Sequence, residues 1–379
     1  MRSLLVIIDG LGDDPIPAWN GLTPFDYAEH KNIDRLIQLG SLGKVSICED
    51  DFVPESLSCI LRLLGVQQQD FPTNRAYLEL LAHQRDISEY EMVLRCNLVS
   101  VDADDKLVSF NGQGLTAQEM AAAAKACDEF WQGIEFMHLS MYRNLLILDK
   151  DRRILDDCVI PPAHESMGEN INVLLGDVKQ KSLLLKNFIE GTAKKLTRFN
   201  HDGIRYMLYP WGPSERKTLP TFASLHGRQG AAVCEAEIVR GIASGLQMAA
   251  PKIAGATADI DTDIDAKTAA TLELLKKYDF LLTHFNGADE AAHRYDYSGK
   301  AAFISRIDQQ FLGPVLAEVQ KPLRIIICGD HVTSSVSGKH NKNTVPVVAA
   351  QINAASEPVK INTYQDILRF LMKASDKRG

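Results

Sequence analysis

The sequence has no long apolar run, no paired-cysteine motif, no excess of basic charge and no glycine loop of the Walker or Rossmann kind, and each absence closes off a class of function. The first apolar stretch, Leu4 to Ile8, stops at Asp9 and is too short for a signal-peptide core or a membrane-spanning helix. No later stretch spans a bilayer either. Lys and Arg number 41 against 49 Asp and Glu, a formal net charge of −8, so neither a nucleic acid nor an anionic membrane is the expected partner. Cys48, Cys59, Cys96, Cys127, Cys158, Cys234 and Cys328 are odd in number and scattered, which fits reduced thiols in a cytoplasm better than a disulfide framework or a structural zinc site. What is present is ordinary for a soluble globular chain: 45% hydrophobic and 24% charged residues exclude collagen-like and disordered readings. A length of 379 residues predicts two domains, or one large domain carrying an insertion.

The apolar residues follow a recurring grammar. Leu4-Leu5-Val6-Ile7-Ile8 is the continuous run of a strand buried on both faces, and it gives way at once to Asp9-Gly10 and a loop. After that loop Ile33, Leu36 and Ile37 fall at helical spacing, with Gly40 where a helix cap belongs. The same design returns in Phe280 to Phe285 and in Arg324 to Cys328, with a helical stripe of Ile304, Ile307, Phe311 and Val315 between them and a kink or break expected at Pro314. Strand, helix, strand with polar residues at strand ends predicts an α/β protein with a doubly wound, mostly parallel sheet, whose ligands bind beyond the carboxyl ends of the strands. The middle differs, with mixed-charge strands (Val93 to Val101, Leu145 to Leu148), an alanine-rich helix (Ala117 to Ala126) and a Lys-rich stretch near 179–195. Sheet grammar resumes only at Gly230 to Val233. Residues 81–221 are therefore expected to form a second α/β domain inserted into a core of 1–80 and 222–379.

Three polar clusters follow the predicted core strands. Asp9 follows the first, Asp289 and His293 the one ending at Phe285, and Asp330 and His331 the one ending at Cys328, with His340 shortly beyond. Asp289 and His293, four apart, share a face if Ala288 to Tyr295 is helical. Any one of these is ordinary loop chemistry, but the fold grammar brings all three strand ends to one sheet edge. Carboxylate oxygens with imidazole nitrogens suit Mn²⁺ or Zn²⁺, whereas Mg²⁺ prefers an all-oxygen set. In 54–66, Ser56 and Ser58 stand at the start of an apolar helical run, where a serine is either a helix cap or a nucleophile held beside a bound anion.

Together these motifs make the chain resemble the archaeal-type cofactor-independent phosphoglycerate mutases of the alkaline phosphatase superfamily. The resemblance runs nearly end to end: Ile8-Asp9-Gly10-Leu11-Gly12-Asp13, Thr23-Pro24, Leu63-Leu64-Gly65, Arg95-Cys96-Asn97, Tyr142-Arg143, Gly255-Ala256-Thr257, Asp261-Thr262-Asp263 with Lys267, Asp289-Glu290-Ala291-Ala292-His293, Gly329-Asp330-His331 and His340. It implies a two-metal phosphotransferase of the isomerase class that interconverts 2- and 3-phosphoglycerate through phosphoserine at Ser56, chosen over Ser58 by counting back from Leu63-Leu64-Gly65. By the same resemblance Asp9, Ser56, Asp330 and His331 hold one divalent ion and Asp289, His293 and His340 the other, Mn²⁺ or Zn²⁺ with Mg²⁺ as the alternative. Arg95, Arg143, Arg216 and Lys267 match positions that bind a small phosphorylated hydroxy acid.

The chain departs from the family around the nucleophile, where Glu55-Ser56-Leu57-Ser58-Cys59-Ile60 replaces the usual Gly-Ser-Asp-Thr-Ala-His, and at Tyr142-Arg143-Asn144, where Tyr-Arg-His is common. Lost imidazoles remove candidate general acids. Two further activities on the same core therefore stay open, a homoserine kinase-like phosphotransferase and a metal-dependent phosphatase.

Overall fold

The computed structural model describes residues 1–47, 54–129, 131–354 and 359–373. It divides into two compact units, Met1–Phe71 with Thr218–Gly379, and Pro72–Lys217. In chain order its strands are β1 (Arg2–Ile8), β2 (Ser41–Val45), β3 (Glu91–Val101), β4 (Leu107–Ser109), β5 (Ile134–Ser140), β6 (Arg143–Asp149), β7 (Arg205–Glu215), β8 (Gly230–Val233), β9 (Phe280–Phe285), β10 (Leu323–Cys328), β11 (Val332–Thr333), β12 (His340–Asn341) and β13 (Val345–Ile352). Cys48 lies outside the described residues; the other six cysteines are free thiols.

The first unit is built on a sheet of order β2-β13-β10-β1-β9-β8. Strands β10, β1, β9 and β8 run parallel, and β13 and β2 extend the sheet antiparallel at one edge. Every residue of Leu4 to Ile8 is fully buried, as a central strand covered on both faces requires. Register then decides where the chemistry falls. Ile8 pairs with Phe285 and Ile7 with Cys328, so the three strands end in nearly one line and deliver Asp9, the helix Gly287–His293 and Asp330-His331 to the same carboxyl edge.

Two local features have causes that lie far away in sequence. The helix Lys31–Leu39 receives no cap from His30 before it; instead Asp308 accepts from the Asn32 and Ile33 amides at 3.1 and 2.8 Å, satisfying donors left open in the first turn. Gly40 ends that helix as expected but is not left-handed, with φ −148°. It is needed because a Cβ there would stand 2.0 Å from the Ala349 carbonyl oxygen of β13. The break expected at Pro314 takes the form of a π-helical turn, Asp308–Leu312, between helices Tyr297–Ile307 and Gly313–Glu318. Proline cannot donate to the carbonyl four residues back, and the Thr268 hydroxyl, shared with the Ile264 carbonyl at 2.8 Å, reaches that Gln310 oxygen at 3.0 Å.

The second unit is an antiparallel sheet of order β4-β3-β6-β5 with β7 also paired to β3. The helices Ala117–Cys127 and Leu183–Leu196 pack onto it around a core that includes Leu94, Leu146, Phe188 and Tyr209. The unit begins at Pro72 and ends at Lys217 rather than at the expected 81 and 221. The early start arises because helix Ala76–Ala82 packs on β3 and β7.

A buried ion pair ties together loops of the first unit. Lys300 and Asp13 are both 0% exposed at the side chain and 2.6 Å apart, and the ammonium also donates to the Gly12 and Thr333 carbonyls. Asp13 in turn accepts from the Ser335 amide and hydroxyl. Lys300→Ala leaves a carboxylate buried without its cation and should destabilise the first unit by about 3–5 kcal/mol, measured by urea denaturation. A loss below about 1 kcal/mol would show that the serine donors alone satisfy Asp13.

Candidate metal centre

The centre is assembled at the sheet edge from four short pieces of chain. Asp9 is 1% exposed and Asp330 0%, while His331 is 2% and Asp289 7% exposed. Asp289 and His293 share one face of Gly287–His293, four residues apart. His340 is brought back by the β11–β12 hairpin, in which Thr333 pairs with His340. Gly10 permits the close approach: its φ is +76°, and a Cβ would lie 2.7 Å from the Asp289 amide nitrogen. Ligand atoms of Asp9, Asp330 and His331 all lie within 4.8 Å of one another, as do those of Asp289, His331 and His340. His293 Nε2 stands 3.3 Å from Asp289 Oδ2 and 3.1 Å from His340 Nε2.

Hydrogen bonding settles which ring nitrogens carry protons. His293 Nδ1 is 2.8 Å from the Gly338 carbonyl oxygen and His340 Nδ1 is 2.8 Å from that of Pro54. A carbonyl only accepts, so both Nδ1 atoms donate. Thr333 Oγ1 donates its proton to Asp289 Oδ1 at 2.6 Å and therefore accepts from His331 Nδ1 at 3.2 Å. In their neutral forms, all three rings turn an Nε2 lone pair inward.

Those lone pairs meet carboxylates. His340 Nε2 is 3.3 Å from Asp289 Oδ1, and His331 Nε2 is 3.7 Å from Asp9 Oδ1 and 3.5 Å from Asp330 Oδ2. Asp9 Oδ1 and both Asp330 oxygens are buried with no hydrogen-bond partner among the described residues. Burial, then the charges of Asp289 and Asp330, hold the Asp9 carboxyl well above its ordinary pKa. Burial also raises that of Asp289, but when the His293 and His340 rings are protonated at Nε2 their hydrogen bonds outweigh it and hold Asp289 well below the usual range. Acceptors facing acceptors in a buried space need protons or cations between them, and mixed imidazole and carboxylate donors suit a divalent ion such as Mn²⁺ or Zn²⁺.

The structure brings Ser56 to the same place. It opens helix Ser56–Leu63, half-buried, with Oγ 3.3 Å from His331 Nε2. Ser58 turns back instead, donating to the Glu55 carbonyl at 3.2 Å.

The four expected cations are placed less uniformly. Arg95, in the second unit, lies 4.3 Å over the Trp211 ring and pairs with the buried Glu79 at 3.0 Å. Glu79 also holds Arg75 at 2.6 Å. Arg143 donates to Ser140 Oγ, and Arg216 is 41% exposed and paired with Asp86 at 2.9 Å. Lys267 is 1% exposed, donates to the His284 carbonyl at 2.8 Å and stands 4.8 Å from the Phe285 ring. Burial pushes its pKa down to about 8. Its contacts brace β9.

Sequence reasoning missed Thr333 and Glu79. Thr333 stands two residues after His331, a proximity that hints at it; nothing marks Glu79 within its apolar helix.

A doubly wound sheet with such a donor set at its carboxyl edge defines a metal-centred α/β protein. The chain belongs to the Metalloenzyme superfamily, whose family model matches residues 1–367. It is 26% identical over 361 residues to a 2,3-bisphosphoglycerate-independent phosphoglycerate mutase of Methanothrix thermoacetophila, covering 92% of this chain and 91% of that one. With the second such enzyme of Methanothermobacter thermautotrophicus it shares 25% identity, covering 95% and 91%. Among solved structures, a Pyrococcus horikoshii protein superposes with a TM-score of 0.78 at 23% identity, covering 100% of this chain and 99% of that one. The cofactor-independent phosphoglycerate mutase of Thermoplasma acidophilum gives a TM-score of 0.60 at 17% identity, covering 98% and 99%. These two share the fold.

If the inward acceptors await cations, replacing one buried carboxylate by an amide should stabilise the metal-free protein while weakening metal binding. Asp330→Asn in a strong chelator is expected to gain about 1 kcal/mol or more in thermal or urea unfolding, and to lose one of two Mn²⁺ ions by calorimetric titration. A chelated variant less stable than the parent would contradict the cation reading.

Proposed function

We propose that this chain is a metal-dependent phosphoglycerate mutase, interconverting 2- and 3-phosphoglycerate through a phosphoserine at Ser56. The observation that carries the reading is the Ser56 hydroxyl, 3.3 Å from His331 Nε2 and at the lip of the carboxylate and imidazole cluster. Relatives covering nine-tenths of the chain bear the phosphoglycerate mutase name, which supports the choice of substrate.

Asp9, Ser56, Asp330 and His331 are proposed to hold one divalent ion and Asp289, His293 and His340 the other, Mn²⁺ or Zn²⁺. When bound, the ions supply positive charge that lowers the pKa of the serine hydroxyl and offsets the charge on the phosphoryl oxygens. Ser56 Oγ, deprotonated, attacks phosphorus; the bond from phosphorus to the substrate oxygen breaks, and the freed glycerate hydroxyl takes up a proton. The reverse transfer onto the other hydroxyl restores Ser56, so no water is consumed and nothing is oxidised. Arg95 and Arg143 are the proposed anion ligands of the 72–217 unit, with Arg216 released from Asp86 as a third. A cytoplasmic place in glycolysis follows from the reaction and agrees with six free thiols and with the lack, among the described residues, of a helix long and apolar enough to cross a membrane.

The test is phosphoryl transfer with Mn²⁺ and 3-phosphoglycerate, run beside homoserine plus ATP and a generic phosphate ester. Ser56→Ala should lose on the order of 10⁴-fold or more in kcat, whereas Ser58→Ala retains most activity, and phosphopeptide mapping should find the label on Ser56. Label on Ser58 or on neither residue overturns the mechanism. Turnover of one of the other substrates alone replaces phosphoglycerate while leaving the nucleophile in place.

A further inference from the structure

β9 reads Phe-Leu-Leu-Thr-His-Phe and all six residues are buried. Thr283 pairs with the Thr271 hydroxyl at 3.0 Å, but the His284 ring, 1% exposed, has neither nitrogen hydrogen-bonded among the described residues. An unmade bond of this kind costs about 1–3 kcal/mol, so the ring has to find its partner in another state of the protein. Register shows where. His284 sits opposite Ile7, and the ladder continues one step further through the Asp9 amide bonded to the Phe285 carbonyl at 2.9 Å. Asp9, two residues beyond Ile7, points to the same face of the sheet as Ile7 and hence as His284. His284 Nε2 lies 3.6 Å from Asp9 Oδ2, while Asp9 Oδ1 faces His331 at 3.7 Å. His284 belongs to neither group of converging ligand atoms.

We propose that His284 is a positioning residue of the metal centre: its Nε2–H bonds to the outer oxygen of Asp9 and holds that carboxylate with Oδ1 turned to the ion. The proposal rests on the cation reading of the centre. Lys267 completes the support from below, its ammonium bound to the His284 carbonyl at 2.8 Å.

Mn²⁺ titration followed by electron paramagnetic resonance, with thermal unfolding in chelator, tests this on His284→Asn and His284→Gln, which keep an N–H donor, and on His284→Leu and His284→Phe, which do not. The apolar variants should bind one of two Mn²⁺ ions about 10–100-fold more weakly, with the second ion within about threefold of the parent and chelated stability equal or higher. At least one amide variant should recover affinity to within about fivefold. Parent-like affinity at both sites in an apolar variant that folds overturns the proposal, as does an equal loss in all four variants. A parent protein that binds no Mn²⁺ removes the cation reading itself, and the role of His284 with it.

Discussion

The first unit is organised around one electrostatic constraint: three imidazole lone pairs and three carboxylates are made to face one another, the carboxylates buried and His293 and His340 at the exposed side. The outward Nδ1 protons are committed to the Gly338 and Pro54 carbonyls and the Thr333 hydroxyl, so the rings cannot relieve the crowding by changing tautomer without losing those bonds. Much of the surrounding construction follows. Parallel strands in register bring the three ends together, Gly10 lets the first loop touch the Asp289 helix, and the β11–β12 hairpin returns His340 to the cluster. Lys300, through Gly12, Asp13 and Thr333, braces the loops that carry the ligands.

Buried polar groups in this unit fall into two kinds, and the difference separates structure from chemistry. Asp308 and the Lys300–Asp13 pair are buried but bonded, the first to backbone amides of another helix and the second to each other and to flanking donors. They hold the fold. Asp9 Oδ1, Asp330 and the His284 ring are equally buried yet have unpaired atoms, which in a native structure calls for an explanation by strain, ion or water. All three lie at the same end of adjacent strands. The apolar runs beside them, Leu4 to Ile8 of β1 and Ile325 to Cys328 of β10 above all, supply the burial that offsets so concentrated a polar cost.

Most of this sheet was legible because its central strands are dominated by apolar runs and break off abruptly into Asp, His and Gly. That contrast locates both the strand and the end that matters, and it is why Asp9, Asp289, His293, Asp330, His331 and His340 stood out. What escaped depends on partners distant in sequence. The cap on Lys31–Leu39 comes from Asp308, and Gly40 answers to a carbonyl of β13. The partner of Arg95 was hidden too: its pairing with Glu79 is set by the helix Ala76–Ala82, whose apolar pattern conceals a carboxylate. His284 was invisible for the opposite reason: inside an apolar strand it reads as one more buried residue, and only its empty ring nitrogens give it away.

The departures around Ser56, the proposed nucleophile, bear on rate and substrate more than on reaction type. Leu57, Cys59 and Ile60 are 4%, 1% and 0% exposed, so this stretch of helix Ser56–Leu63 has become packing surface and can supply no proton donor there. Asn144, where an imidazole is common in the resembling family, is 3% exposed and spent on His138 and the Cys96 carbonyl. A general acid is worth about 10²–10⁴ in rate, whereas charge stabilisation of the transferring group is usually the larger contribution. The donors for that charge, six carboxylate and imidazole side chains with Ser56 beside them, are all present and converge. The identity of the molecule that receives the group is then decided by the residues that changed.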